Sequence, residues 1–144
     1  MDDVLSATPG PARPRDVPTP PRVLVADDED DIRALVCLAV TRAGGAVVGA
    51  VADGTTALAA ARSDLPDLAV LDVSMPGATG LEVCTALRAD PATAGIRVLL
   101  LSAGASSDDV ARGLAAGADA YLAKPFQVAA LVQRIRALTA GQLA

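Results

Sequence analysis

Short apolar runs alternate with longer amphipathic stretches along the chain from Arg22 onward. The apolar runs are rich in β-branched residues and predict strands, whereas the stretches between them repeat apolar residues at helical spacing. The predicted strands cover residues 23–26, 46–51, 68–71, 98–101 and 120–122. The predicted helices lie near residues 30–43, 55–62, 80–88, 108–116 and 128–138. Strands that alternate with helices in this way indicate an α/β domain with a parallel sheet.

Two of the helices carry a clear core-facing stripe. The stripe of the first consists of Ile32, Leu35, Val36, Ala39 and Ala43, and that of the last of Val128, Leu131, Val132 and Ile135. Gly44 and Gly117 stand where helices are expected to end. Ser106 followed by Asp109 resembles a capping box at the start of the fourth helix.

Composition favours one domain preceded by a tail. A chain of 144 residues matches a single domain in size. Residues 1–21 hold six of the ten prolines and lack apolar periodicity, so we expect a disordered Pro-rich tail before a domain over residues 22–140. Hydrophobic residues make up 52% of the chain but aromatic residues only 1%, which predicts a core of Ala, Val, Leu and Ile.

Charge and cysteine usage restrict the function classes. The net charge of −5 argues against direct nucleic-acid binding, which depends on clustered cations. No stretch approaches the ~18 apolar residues of a membrane span, and no signal-peptide core begins the chain, so we expect a cytoplasmic protein without membrane contact. Cys37 and Cys84 fall on helices at opposite faces of the predicted sheet and should be free thiols. Histidine is absent, which excludes imidazole ligands and bases.

Polar residues follow four of the five predicted strands. Asp27 and Asp28 follow the first strand, Asp72 the third, Ser102 the fourth and Lys124 the fifth. Each alone has an ordinary explanation: acids at a helix start, a turn residue, a helix cap, a surface cation. Their shared position at strand ends points instead to a common crevice, because ligands of open α/β sheets bind beyond the carboxyl ends of the strands.

Clustered carboxylates repel one another unless a cation lies among them. Magnesium suits such a site, since it prefers oxygen ligands and is often held by one or two carboxylates together with a phosphate. Asp28 and Asp72 can supply the carboxylates, and the chain just beyond Asp72 can supply a carbonyl. Asp72 is the best candidate nucleophile, with Lys124 and the hydroxyl of Ser102 available to stabilise a transferring phosphoryl group.

Three stretches resemble the receiver domains of bacterial two-component response regulators. They are VLVADD at 23–28, LDVSMPG at 71–77 and GADAYLAKPF at 117–126, and the resemblance covers about residues 22–140. It implies a flavodoxin-like, doubly wound (βα)5 fold whose five parallel strands have the order 2-1-3-4-5. The chemotaxis-regulator type, a single receiver, is the form that the chain length suggests.

The resemblance also assigns roles to the strand-end residues. It implies that a phosphohistidine of a sensor histidine kinase or histidine phosphotransfer protein phosphorylates Asp72. Asp28, Asp72 and the main-chain carbonyl of Ser74 would bind Mg²⁺ or Mn²⁺, and Asp27 would order a metal-bound water.

The same resemblance implies a conformational switch. Lys124 would bridge to the phosphoryl group, and Ser102 would turn inward to bond it. Tyr121 would follow and report the change to the face formed by helix four, strand five and helix five. An unidentified output protein would read that face by protein–protein contact.

Three alternatives were weighed. A haloacid-dehalogenase-like phosphohydrolase also forms an aspartyl phosphate, but its nucleophile ends the first strand. A pseudo-receiver would keep the fold without phosphorylation, and the complete set of acids with Ser102 and Lys124 argues against it. The third alternative is the receiver of a longer multidomain regulator. As a single receiver or as the receiver of a longer regulator, the chain would be a phosphoacceptor that takes part in its own phosphorylation and dephosphorylation, and we do not expect it to be an enzyme.

Overall fold

The computed structural model describes residues 19–142 and contains five strands that alternate with five α-helices. The strands are β1 (Arg22–Ala26), β2 (Ala46–Val51), β3 (Leu68–Asp72), β4 (Arg97–Ser102) and β5 (Ala120–Ala123). The helices are α1 (Asp30–Arg42), α2 (Gly54–Asp64), α3 (Gly80–Ala89), α4 (Ser107–Ala115) and α5 (Val128–Thr139), followed by a 3-10 turn at Ala140–Gln142. Every predicted element is present within two residues of its predicted bounds.

The predicted Pro-rich tail lies outside the described residues except for its last three. Of these, Pro21 is buried, and its carbonyl accepts a 2.8 Å hydrogen bond from the amide of Ala46 at the start of β2. Hydrogen bonding to β2 therefore begins at Pro21, one residue before β1.

All strand pairs are parallel, and the strand order is β2-β1-β3-β4-β5, as predicted. This arrangement confirms the doubly wound (βα)5 fold. The order reverses between β1 and β3, so the connections from these two strands leave towards opposite sides of the sheet. The crevice between them lies beyond Ala26 and Asp72, at the carboxyl edge.

Side chains of the central strands alternate between two cores. On one face α1 and α5 cover Val23, Val25, Leu68, Val70, Leu99 and Leu101. On the other face α2 and α3 cover Leu24, Ala26, Ala69, Leu71, Val98 and Leu100. Cys37 packs against the first core and Cys84 lies in the second, so they are free thiols on opposite faces, as expected. This two-sided burial explains why the strands read as continuous apolar runs.

The helix ends agree with the sequence in all but one respect. Gly44 (φ 90°) and Gly117 (φ 105°) adopt the left-handed conformation that ends α1 and α4. The Ser106 hydroxyl caps α4 by accepting from the amide of Asp109, but the Asp109 carboxylate pairs with Arg112. The reciprocal capping box lies at α3 instead, between Thr79 and Glu82.

Within residues 19–142, no helix has both the length and the apolar character needed to cross a membrane.

Two glycines fix the loop between β3 and α3 against its neighbours. The amide of Gly54, the first residue of α2, donates a 3.0 Å hydrogen bond to the carbonyl of Pro76 in that loop. A Cβ atom on Gly54 would lie 1.8 Å from the carbonyl oxygen of Ala78, and one on Gly80 would lie 2.4 Å from that of Asp72. Because both contacts are with backbone, the loop that carries Ser74 can take this path only where side chains are missing.

Substitution of Gly54 tests this packing. We expect Gly54→Ala to destabilise the domain by about 1–3 kcal/mol, because the added methyl group meets a carbonyl that must shift. Gly95→Ala is the matched control, since a Cβ there has no atom within 4 Å and its φ is not positive. Chemical denaturation of both variants should show a fall in unfolding free energy only for Gly54→Ala. Equal stabilities would contradict the close packing of the loop on α2.

Candidate functional site

The carboxyl edge of the sheet forms an acidic cleft of about 280 Å³. Its lining consists of Asp28, Glu29, Asp72, Ser74, Ala103 and Lys124. Asp28 and Glu29 follow β1, Asp72 ends β3 and Ser74 follows it, and Ala103 and Lys124 follow β4 and β5. Because these strands are parallel, their carboxyl ends bring the residues to one place. Of the strand-end residues predicted to converge here, Asp28, Asp72 and Lys124 line the cleft, whereas Asp27 and Ser102 do not.

Lys124 lies at the centre of the acidic residues. Its Nζ atom is 3.0 Å from Asp27 Oδ2, 3.2 Å from Glu29 Oε1 and 3.3 Å from Asp72 Oδ1. Only 13% of the Lys124 side chain is exposed. Burial lowers the pKa of Lys124. The close contacts of the ammonium group with the carboxylates of Asp27 and Glu29, together with the charge of Asp72, outweigh burial, so the pKa is raised above its usual value. The ammonium group is therefore a permanent cation of the site.

Asp27 is fully buried behind the cleft and does not line it. Its Oδ1 atom accepts a 2.9 Å hydrogen bond from the amide of Glu29, and the Arg33 guanidinium donates to its main-chain carbonyl. Its Oδ2 atom makes no aligned hydrogen bond within residues 19–142, and Lys124 is its close cationic neighbour. The ammonium group compensates the charge of this buried oxygen, and its unused hydrogen-bonding capacity makes it a candidate acceptor for water or for a cation's hydration shell.

Asp72 is 4% exposed and accepts a 3.3 Å hydrogen bond from the amide of Ser74. Burial and the negative charge of Asp27 raise the pKa of Asp72 to about 6, although Lys124 and the Ser74 amide act in the opposite direction. The neighbouring carboxyl group of Asp28 contributes to the same rise in pKa. Asp72 is nevertheless mostly ionised at pH 7, as a carboxylate nucleophile must be.

The donor set of the cleft fits a hard divalent cation. Asp27, Glu29 and Asp72 each offer a carboxylate oxygen, and these three oxygens lie within 4.8 Å of one another. Asp28 and Ser74 line the same cleft and add further oxygen atoms. Four carboxylates face a single ammonium group, so an additional cation would relieve repulsion, and an all-oxygen set favours Mg²⁺ or Mn²⁺ over softer metals.

Ser102 and Tyr121 meet in the loop between β4 and α4. Ser102 is buried, and its hydroxyl accepts a 3.0 Å hydrogen bond from the amide of Gly104. The Tyr121 hydroxyl donates to the carbonyl of the same Gly104 at 2.6 Å. Ser102 is not among the residues that line the cleft, so its hydroxyl here serves the loop.

Glu29 is a site residue that the sequence pattern did not single out. The structure places its carboxylate on Lys124. Its position two residues after a buried strand-end aspartate was the available signal. A long side chain that begins at the cleft rim can reach the centre.

Fold and site together define a class: a doubly wound α/β domain with an acidic, lysine-containing pocket at the carboxyl edge of its sheet. Residues 23–136 match the family described as Response regulator receiver domain. The chain belongs to this family and is a receiver domain of the two-component response regulators. This assignment argues against the haloacid-dehalogenase alternative.

Relatives and solved structures agree with the assignment. The transcriptional regulatory protein CseB of Streptomyces coelicolor is 48% identical over 116 residues, which are 81% of this chain and 48% of CseB. The signal receiver domain of NarL from Mycobacterium tuberculosis has a TM-score of 0.80 at 34% identity and covers 86% of this chain and 99% of its own. CheY4 of Vibrio cholerae, a chemotaxis response regulator, has a TM-score of 0.77 at 34% identity and covers 83% and 99%.

One comparison limits an expectation drawn from charge. The DNA-binding response regulator MtrA of Mycobacterium tuberculosis is 41% identical over 81% of this chain but only 49% of MtrA. The chain spans about half the length of such relatives. The expected lack of direct nucleic-acid contact therefore applies to the receiver alone, because the acidic charge on which it rests is that of these 144 residues. The single-receiver hypothesis and its longer-regulator alternative both stay predictions.

The raised pKa of Asp72 predicts a specific pH dependence of stability without metal. A carboxyl group whose pKa is higher in the folded state stabilises the fold at low pH, and this stabilisation is lost as the pH rises from about 4 through 6. We expect Asp72→Asn, measured in EDTA, to be more stable than the wild type by about 2–3 kcal/mol at pH 7.5, with little difference near pH 4. Denaturant titrations across this range would measure it. If Asp72→Asn were less stable than the wild type at pH 7.5, the attraction of the Asp72 carboxylate to Lys124 would outweigh the effects of burial and of repulsion by Asp27 on the stability of the fold.

Proposed function

We propose that the domain accepts a phosphoryl group on Asp72 from a phosphohistidine of a sensor histidine kinase or histidine phosphotransfer protein, in a reaction that depends on Mg²⁺ or Mn²⁺. The observation that carries the proposal is the position of Asp72. Its carboxylate lies at the base of the acidic cleft, 3.3 Å from the Lys124 ammonium and beside the oxygen ligands that a cation needs.

In the proposed transfer a carboxylate oxygen of Asp72 attacks the phosphorus atom of the donor. A new O–P bond forms as the P–N bond breaks, and its electron pair passes to the imidazole nitrogen of the donor. Lys124 donates to an oxygen of the transferred group and balances part of its charge. The Ser102 hydroxyl turns away from the Gly104 amide and donates a second hydrogen bond to the transferred phosphoryl group.

The proposed metal ligands are the carboxylates of Asp28 and Asp72 and the main-chain carbonyl of Ser74, with Asp27 acting through a water. When bound, the cation supplies charge neutralisation for the phosphoryl oxygens. The lining of the cleft by Asp28, Asp72 and Ser74 supports this set, and the unused hydrogen-bonding capacity of Asp27 Oδ2, buried behind the cleft, supports an outer role.

We also propose that Ser102 and Tyr121 form the switch. Once Ser102 turns towards the phosphoryl group, Gly104 loses one of its two bonds in the loop, and Tyr121 follows. The element free to respond is α4, of which only Gly113 is buried while Leu114 is 50% exposed. The face of α4, β5 and α5 would then present a changed surface to an output protein.

This proposal makes the domain a signalling phosphoacceptor that acts on its own phosphoryl group and on no other substrate. Its phosphohistidine donors place it in the cytoplasm. A pseudo-receiver would not need a buried aspartate beside Lys124 in an acidic cleft, so the position of Asp72 argues against that alternative.

Phosphorylation of Asp72 can be tested by mass. Incubation with acetyl phosphate and MgCl₂ should add one phosphoryl group to the wild-type chain. Asp72→Asn should add none because, of the other two carboxylates beside Lys124, Asp27 is fully buried behind the cleft and Glu29 is exposed at its rim. Intact-protein mass spectrometry measures both. Asp31→Asn, an exposed acid outside the cleft, is the control and should be phosphorylated normally. An adduct retained in Asp72→Asn would assign the nucleophile to another residue.

Metal binding can be tested without phosphorylation. Magnesium should raise the melting temperature of the wild type, because it binds the folded cleft and relieves repulsion there; at 100 times its Kd the gain is about 2.7 kcal/mol. Asp28→Asn should lose most of this shift, and Asp31→Asn should keep it. An unchanged melting temperature of the wild type in saturating magnesium would exclude a metal site in the cleft.

A further inference from the structure

Glu29 is the exposed member of the three acids around Lys124. Its side chain is 62% exposed, whereas the side chains of Asp27 and Asp72 are 0% and 5% exposed. Its contact with the ammonium group is nevertheless a hydrogen bond of 3.2 Å. Glu29 therefore takes up part of the Lys124 donor capacity from the rim of the cleft.

Phosphorylation would change the demands on Lys124. A carboxylate of charge −1 would be replaced by a phosphoryl group of about −1.5 to −2, which adds acceptor oxygens to the cleft. The ammonium group has three donors, and Asp27, Glu29 and Asp72 already surround it. On phosphorylation the contact of Asp72 passes to its own phosphoryl group, and the added oxygens can gain a further Lys124 donor only if Asp27 or Glu29 gives way.

Of these partners Glu29 can leave at least cost. An ion pair with an exposed carboxylate contributes little net stability, because water stabilises the released carboxylate almost as well as the ammonium group does. Asp27 cannot leave in the same way, since it is buried and its Oδ1 atom is held by the amide of Glu29. The released Glu29 would also move away from the new negative charge.

We propose that Glu29 is a positioning residue that holds Lys124 in the unphosphorylated domain and competes with the phosphoryl group for it. Glu29 thereby weakens phosphoryl binding and favours the resting state. This inference rests on the proposed phosphoacceptor function and adds to it a residue that sets how tightly the phosphoryl group is held.

The test uses beryllofluoride with saturating magnesium as a mimic of the phosphoryl group. Glu29→Gln removes the competing charge and keeps the side-chain length, and we expect it to bind beryllofluoride about three- to tenfold more tightly than the wild type by isothermal titration calorimetry. Asp31→Asn is the matched control. It removes the same charge from an exposed position outside the cleft and should leave the affinity within about twofold.

A double variant tests whether the effect passes through Lys124. In a Lys124→Met background, where there is no ammonium group to compete for, Glu29→Gln should give less than half of the improvement that it gives in the wild type. Magnesium affinity without beryllofluoride is the second readout. It should change less than threefold in Glu29→Gln, because the proposed role is towards Lys124 and not towards the metal.

Four results would overturn the inference. They are unchanged or weaker beryllofluoride binding in Glu29→Gln, an equal gain in Asp31→Asn, a full gain in the Lys124→Met background, and a magnesium affinity lowered more than tenfold. In all four the wild type still binds the mimic, so the proposed function stands. Failure of the wild type to bind beryllofluoride in magnesium would instead remove the proposed function, and this inference with it.

Discussion

The repulsion between two buried carboxylates, Asp27 and Asp72, is the constraint on which the site depends. The Lys124 ammonium lies 3.0 Å from one and 3.3 Å from the other, yet burial first and the charge of Asp27 second still raise the pKa of Asp72 to about 6, so one cation does not fully offset the cost of holding both carboxylates ionised. A site left with excess negative charge has affinity for a second cation. That cation and Lys124 together can balance the additional charge of a phosphoryl group.

Such an arrangement requires a rigid support, because like charges held a few ångströms apart tend to separate. The central strands provide it, since alternate side chains of β1, β3 and β4 are buried in two cores, one on each face of the sheet. The loop that carries Ser74 is held equally closely, with Gly54 and Gly80 in contact with backbone atoms. By contrast α4 has one buried residue, so the rigid and the adaptable parts of the domain meet at Gly104.

The residues inside the pocket and the residue at its rim differ in how firmly the fold holds them. Glu29 illustrates the difference: it is exposed, it bonds Lys124, and its loss would alter the charge of the cleft without disturbing either core. The matched part of this chain accounts for only about half of the length of CseB and of MtrA.

The sequence by itself determined the five strands, the five helices and the identity of the strand-end residues, because burial on both faces of a sheet and on one face of a helix imposes distinct apolar periods. Resemblance to a family supplied the strand order, which periodicity does not contain. Only the tertiary structure decided which acids meet Lys124, since Glu29 and Lys124 are 95 residues apart and their contact depends on side-chain reach across the cleft. A different reason applies to the Ser102 hydroxyl, which accepts a hydrogen bond from the Gly104 amide of its own loop. Hydrogen-bond partners are fixed by local backbone geometry, and a residue pattern does not encode that geometry.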